Sequence, residues 1–344
     1  METKMKGGRN NSIDIFRLIC AIMVVAVHTH PFMDINENVG FFFTYIFPRI
    51  GVPFFFAIIG YFYIGALLAG KNIFLSYGKR ILIIYFIWTV VYFLTDILQI
   101  ILKNEFSAER LIQLIKQYLT GFFISGSYYH FWFFPALFFA LFVTTIAFKL
   151  KIEKITAYFS IALYIIGCLG CSYYAIGNNI PVISNLINFT YFNLIRRVIL
   201  MGLPFFMMGY FLHYIKLTKI KNLFLIFVAV TAFLIEIFIV IKLDWQRNIM
   251  ITLFLFPLLA LIIIFLLNNP LPGLEKLSAK TRNTANFIYY SHPLFIIFLI
   301  EADRLFKLNT MFETYLFLFT VILASVGSLF ISLINNKWLN KLMQ

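Results

Sequence analysis

The sequence predicts an all-α integral membrane protein: a bundle of about ten transmembrane helices with both termini in the cytoplasm. Three observations carry that expectation. Hydrophobic residues make up 62% of the 344 positions and charged residues only 12%, whereas a soluble domain carries about 25% charged residues. The apolar runs recur along the whole chain, each about 20 residues long, which is the spanning length of a helix. Lysine and arginine gather in every second connecting segment, which is the pattern that sets orientation.

The runs lie at approximately Ile13–Phe32, Tyr45–Leu68, Ile81–Leu102, Phe131–Phe148, Ile155–Ile176, Val198–Tyr214, Leu223–Ile241, Ile249–Leu267, Thr284–Ile300 and Phe312–Ile334. A β-barrel would show shorter segments of alternating polarity instead. The first run lacks a small-residue cleavage site and ends in His-Thr-His-Pro, so it is expected to be a retained helix rather than a leader. The connections are short, so residues 1–344 are expected to form one polytopic domain behind a short cytoplasmic tail, 1–12. Ser107–Leu119 places Leu111, Leu114, Ile115 and Tyr118 at helical spacing, the pattern of an amphipathic helix lying at the interface. Asn178–Asn193 is uncharged and rich in asparagine, and reads as a loop.

With the N-terminus inside, the cytoplasmic segments carry Lys4, Lys6 and Arg9; Lys71, Lys79 and Arg80; Lys149, Lys151 and Lys154; Lys216, Lys219 and Lys221; Lys276, Lys280 and Arg282; and Lys337 and Lys341. The acids beside them are Glu2, Glu153 and Glu275, whereas acids and bases nearly cancel in the outer segments. The net charge of +14 is thereby explained by topology, with no nucleic-acid partner. Cys168 and Cys171 form a lone CxxC within an apolar run and lack the second ligand pair of a zinc site, so they read as packing residues. No metal and no permanently bound cofactor is expected.

Ionisable groups inside a bilayer are costly, so those present carry the functional signal. Arg17 and His28 are eleven residues apart in the first run, which puts them on one helix face roughly 16 Å apart in depth. Asp14 stands at i,i+3 from Arg17 and offers the simpler pairing. Glu236 sits in the seventh run with no partner evident in the sequence.

Beyond these, Arg49 precedes Gly-Val-Pro-Phe-Phe-Phe, with Gly60 farther along the same run. Lys79-Arg80 stands at the start of the third run, and His130-Phe-Trp132-Phe-Phe-Pro opens the fourth. Arg196-Arg197 is followed by Gly-Leu-Pro-Phe-Phe-Met-Met-Gly209, and His292-Pro293 lies within the ninth run. In this order, from Asn11 to about Ile334, these segments resemble the integral membrane acyltransferase-3 superfamily. The likeness is nearest to its branch in low-GC Gram-positive bacteria, which includes the membrane domains of vancomycin-resistance serine racemases.

The resemblance implies a membrane O-acyltransferase in the bacterial plasma membrane. It would move an acyl group, acetyl above all, from cytoplasmic acyl-CoA to a hydroxyl of a cell-surface glycan or related acceptor. It points to His28 as the catalytic residue and to Arg17, Lys79 and Arg80 as the groups that handle the acyl donor. Their cytoplasmic placement suits the donor's phosphates. Arg49, His130, Trp132, Arg196, Arg197 and His292 are expected to line the acceptor side. Many members carry a longer arginine cluster where this chain has Lys79-Arg80, and some carry a carboxylate beside the residue corresponding to Trp132, which this chain lacks. The group that orients His28 is therefore not named by the resemblance. The alternative is a small-molecule transporter, for serine for example, as in racemase-linked relatives. The absence of a racemase portion before Gln344 and of a duplicated broken-helix pattern counts against that use.

Overall fold

A computed structural model describes residues 10–272, 275–307 and 312–334, with the side chains of 275–279 excepted. Lys4, Lys6, Arg9, Lys276, Lys337 and Lys341, with Glu2 and Glu275, lie outside the described side chains. The described chain is all-α. In order it forms α1 (Asn11–Thr29), α2 (Glu37–Phe41), α3 (Gly51–Leu68), α4 (Phe74–Leu102), α5 (Ala108–Phe123), α6 (Phe133–Lys149), α7 (Glu153–Leu169), α8 (Tyr174–Asn178), α9 (Pro181–Ile187) and α10 (Phe192–Ile195). It continues with α11 (Leu203–Leu212), α12 (Lys219–Lys242), α13 (Leu255–Asn268), α14 (Glu275–Phe306) and α15 (Glu313–Ile334). Among the described residues, seven helical stretches are long and apolar enough to cross a membrane, and α6 and α13 are shorter apolar helices. The chain is a multi-pass membrane protein.

Each expected apolar run holds a helix, but the ends differ for identifiable reasons. α1 stops at Thr29 rather than Phe32 because Pro31 disfavours helical geometry at His30, which leaves the helix in the left-handed region with φ 51°. The second run does not begin as an α-helix. Phe42–Ile46 is a π-helical turn and Phe47–Ile50 a 3₁₀ turn. The sixth run likewise opens with a π-helical stretch, Arg196–Gly202, ahead of α11. Pro48 and Pro204 follow the two π stretches, and a proline withholds the N–H that an α-turn needs. The segment expected as a loop, Asn178–Asn193, instead contains α9, started by Pro181 at its first turn. α4 begins at Phe74, so Lys79 and Arg80 lie one to two turns inside it, both exposed.

The chain divides into two compact units. The first comprises Met1–Phe54, Lys216–Val230 and Pro257–Gln344. Here α1 packs along α14, and α15 packs on both. The polar start of α1 closes the far end of α13. Asn10 Nδ2 donates to the Leu266 carbonyl at 3.0 Å, and Ser12 Oγ donates to that of Asn269 at 2.7 Å. Asn11 Nδ2 donates to the Leu271 carbonyl at 2.9 Å. Helix-end carbonyls lack intrahelical donors, so side chains from a neighbouring helix supply them. Asn10 also caps its own helix by accepting from the Ile13 N–H.

The second unit comprises Phe55–Ile215 and Thr231–Phe256. Its α3 and α11 cross with backbone against backbone. A side chain at Gly60 would collide with the Phe206 carbonyl, and one at Gly209 with the backbone of Gly60 and Tyr61. Small residues let membrane helices approach this closely, because dispersion and not water exclusion drives their association. α5 is the expected amphipathic helix, capped by Ser107 and running on to Phe123. It is pinned to α4 where the Tyr118 hydroxyl donates to Asp96 at 2.8 Å. Tyr85 packs face to face between Phe122 and Phe134, at 4.4 and 4.7 Å, and ties α4 to α5 and α6. Its hydroxyl accepts the Ser127 N–H at 2.8 Å.

Candidate active site

In the first unit, α1 carries Arg17 and His28 on one face, as their spacing predicts. Arg17 Nη1 lies 3.3 Å from Asp14 Oδ1, and both side chains are largely buried. The i,i+3 pair is therefore formed, and it holds the guanidinium near the start of α1. At the other end of the helix, the half-buried His28 ring stacks on His292 of α14, with centroids 5.3 Å apart and planes inclined by 23°. His292 is fully buried. Its Nδ1 lies 2.9 Å from the Tyr289 carbonyl and 3.1 Å from that of Ile288. A carbonyl oxygen only accepts, so Nδ1 carries the proton, and in the neutral ring Nε2 carries the lone pair.

Past the end of α1, His30 stacks on Tyr45 at 6.0 Å. Tyr45 also holds Arg49, whose Nε donates to the Tyr45 carbonyl at 2.7 Å and whose guanidinium lies 5.9 Å from the ring. Arg49 thus sits on the irregular π and 3₁₀ segment, a geometry that recurs at functional sites. Sequence reasoning left this segment inside a regular helix. The signal for it was Pro48.

The other expected site residues belong to the second unit. Arg197 lies over the Trp132 ring at 5.5 Å, a cation–π pair linking the residue just ahead of α6 to the second π stretch. Arg196 is 5% exposed, and its Nη1 lies 4.0 Å from Cys171 Sγ. The two adjacent arginines therefore point to different surroundings. His130 is 3% exposed and ringed by Tyr92, Tyr128, Tyr129 and Phe131, with centroids 4.0 to 5.8 Å away. Burial pushes the phenols of Tyr128 and Tyr129 above their ordinary pKa, so both remain hydroxyl donors.

Glu236, which had no sequence partner, is satisfied within this unit. Its carboxylate accepts the N–H groups of Leu253 and Phe254 and the Tyr173 hydroxyl, the last at 2.8 Å. It caps the start of α13 from a neighbouring helix. A polar cavity of about 270 Å³ between α4 and α5 was also missed. Asp96, Gln99 and Lys103 face Arg110, Gln113 and Gln117 across it. Each trio repeats at i, i+3 and i+7, a stripe legible in the sequence once the two helices are paired. Cys20, Cys168 and Cys171 are free, buried thiols. Among the described residues, no group of three or more His, Cys, Asp or Glu side chains is placed to hold a metal ion.

The order of these site segments along the chain has a counterpart among known proteins. The family model described as "Acyltransferase domain", that of the acyltransferase-3 family, matches residues 10–334. The chain belongs to the acyltransferase-3 family. Among curated proteins it is similar to an "Amino-acid racemase" of Enterococcus faecalis, 30% identical over 86% of this chain and 42% of the relative. It is also similar to a "Serine/alanine racemase" of Enterococcus gallinarum, 29% identical over 51% of this chain and 25% of the relative. The chain thus spans less than half the length of the curated relatives it matches. No solved structure gives a significant match. Family membership agrees with the resemblance carried by the His28, His130 and His292-Pro293 segments, and with the racemase-linked branch.

Proposed function

We propose that this family member is a membrane O-acyltransferase that uses acyl-CoA, acetyl-CoA above all, to acylate a hydroxyl of a cell-surface glycan or related acceptor. The observation that carries the reading is the His28 imidazole, half-buried on α1 and stacked on His292, in a chain of this family. An acyl transfer to a hydroxyl needs a base at the hydroxyl proton. His28 takes that proton as the acceptor oxygen attacks the thioester carbonyl. The C–O bond forms, the C–S bond breaks, and the thiolate of coenzyme A leaves with the proton from the imidazolium. Positive charge on the donor side serves the phosphates of coenzyme A: exposed Lys79 and Arg80 on α4, and Arg17, which shares its charge with Asp14. Arg49, Arg197 with Trp132, Arg196, His130 and His292 are assigned to the acceptor side. The positive-inside pattern supports cytoplasmic termini, and the family supports a bacterial plasma membrane as the location.

A second reading, transport of a small amino acid such as serine, is favoured by one observation: the curated relatives are named racemases of amino acids. One experiment separates the two. Purified protein in lipid vesicles is given acyl-labelled acetyl-CoA with candidate glycans, and in parallel labelled serine. Label transferred to the glycan and lost in His28→Ala supports the transferase. Serine uptake without transfer refutes it.

A further inference from the structure

Tyr289, His292 and Pro293 lie within two turns of α14. In an α-helix the carbonyl of residue i receives the N–H of residue i+4. For Tyr289 that donor would be residue 293, and proline has no N–H. The His292 side chain takes its place, with Nδ1 at 2.9 Å from the Tyr289 oxygen. The nearby Ile288 carbonyl, 3.1 Å away, is the one that His292's own backbone N–H serves by the same helical rule. The buried ring is thus held as the Nδ1–H tautomer by the residue that follows it in the chain. An alanine at 293 would return a backbone N–H to the Tyr289 oxygen and compete with the imidazole for it.

The held ring lies against His28 face to face. A stacked neighbour fixes the plane of an imidazole and leaves both of its in-plane nitrogens to other partners. A hydrogen-bonded neighbour would occupy one of them. For a base that must present a nitrogen to a substrate hydroxyl, the stacked arrangement is the useful one.

We propose that Pro293 and His292 are positioning residues for His28: the proline strips the Tyr289 carbonyl of its helical donor, the imidazole of His292 is thereby locked in tautomer and angle, and its face sets the plane of the His28 ring. The proposal rests on the reading of His28 as the base. It supplies the orienting group that the carboxylate-free sequence around Trp132 does not.

The test uses the full chain, labelled with ¹⁵N-histidine and embedded in lipid nanodiscs, with His292→Asn to assign the signal. The wild-type His292 should show the Nδ1-protonated tautomer. In Pro293→Ala that signature should give way to the other tautomer or to a mixture. Acyl-transfer kcat should fall on the order of 10- to 100-fold, the scale of a mispositioned group, with the acyl-CoA KM unchanged. Pro293→Ser restores the same N–H and serves if the alanine variant aggregates. A wild-type His292 protonated at Nε2 overturns the proposal, and so does loss of the signature at unchanged kcat. The role of His28 itself fails or stands on His28→Ala, whose activity does not enter the spectroscopic outcome.

Discussion

His28 and His292 lie ring on ring, 5.3 Å apart, although one belongs to the first helix and the other to the last but one. The pair ties the end of α1 to α14 within one packing unit.

If His28 is the base, removing its imidazole should stop the chemistry and spare the fold. His28→Ala should lower acyl transfer by on the order of 10²- to 10⁴-fold, the ordinary contribution of a general base. Its melting temperature in detergent should stay close to wild type, because His28 is only half-buried. Turnover of labelled acetyl-CoA and a thermal-shift scan measure both.

Lys79→Ala and Arg80→Ala should each raise the KM for acyl-CoA with kcat little changed. A hydrogen bond to a charged group is worth about 1.5–3 kcal/mol, or on the order of 10- to 100-fold in affinity. Both side chains are exposed on α4, so folding should not suffer. Competition with dephosphorylated coenzyme A, which lacks the groups these cations are assigned to, should narrow the difference between variant and wild type.

Glu236→Leu should cost stability and not catalysis directly. It removes the acceptor for two N–H groups ahead of α13 and for the Tyr173 hydroxyl, and leaving buried donors unsatisfied costs about 1–3 kcal/mol each. Glu236→Gln keeps an acceptor oxygen and should lose less. Tyr173→Phe removes a single donor and should lose least. Ranking the three by unfolding midpoint in sodium dodecyl sulfate titration checks the order.

Gly60→Val should be among the most damaging single substitutions in the second unit. Its side chain would meet the Phe206 backbone, which has no rotamer to escape into. Overpacking of a close contact costs typically about 1–3 kcal/mol or more. Size-exclusion chromatography should show loss of the monodisperse peak for Gly60→Val and for Gly209→Val. Gly70→Ala, where no heavy atom lies near the added carbon, should not lose it through crowding.

The helices were legible because hydropathy is a local property. α12 and α15, for example, follow directly from unbroken apolar runs of spanning length. The irregular segments were not legible, because whether a proline ends a helix, widens it into a π-turn or sits within it depends on what replaces the missing bond. Pro48 and Pro204 accompany π stretches, whereas Pro293 lies inside an unbroken helix where a histidine supplies the donor. The partner of Glu236 stayed hidden for a related reason. Its donors come from Tyr173 and from backbone groups of residues 253 and 254, and no pattern in the sequence marks a backbone N–H as needing a distant carboxylate.

The amino-acid sequence alone determined that this chain lives in a bilayer, that Arg17 and His28 share a helix face, and that its motif order matches the acyltransferase-3 family. Those conclusions need only composition, helical periodicity and residue order. Tertiary structure alone decided which groups from separate stretches of chain meet: His292 beside His28, and Trp132 under Arg197. The physical reason is range. Hydropathy and helical spacing act within a few turns, whereas a ring stack or an ion pair forms only where packing brings separate stretches of chain within a few ångströms of each other.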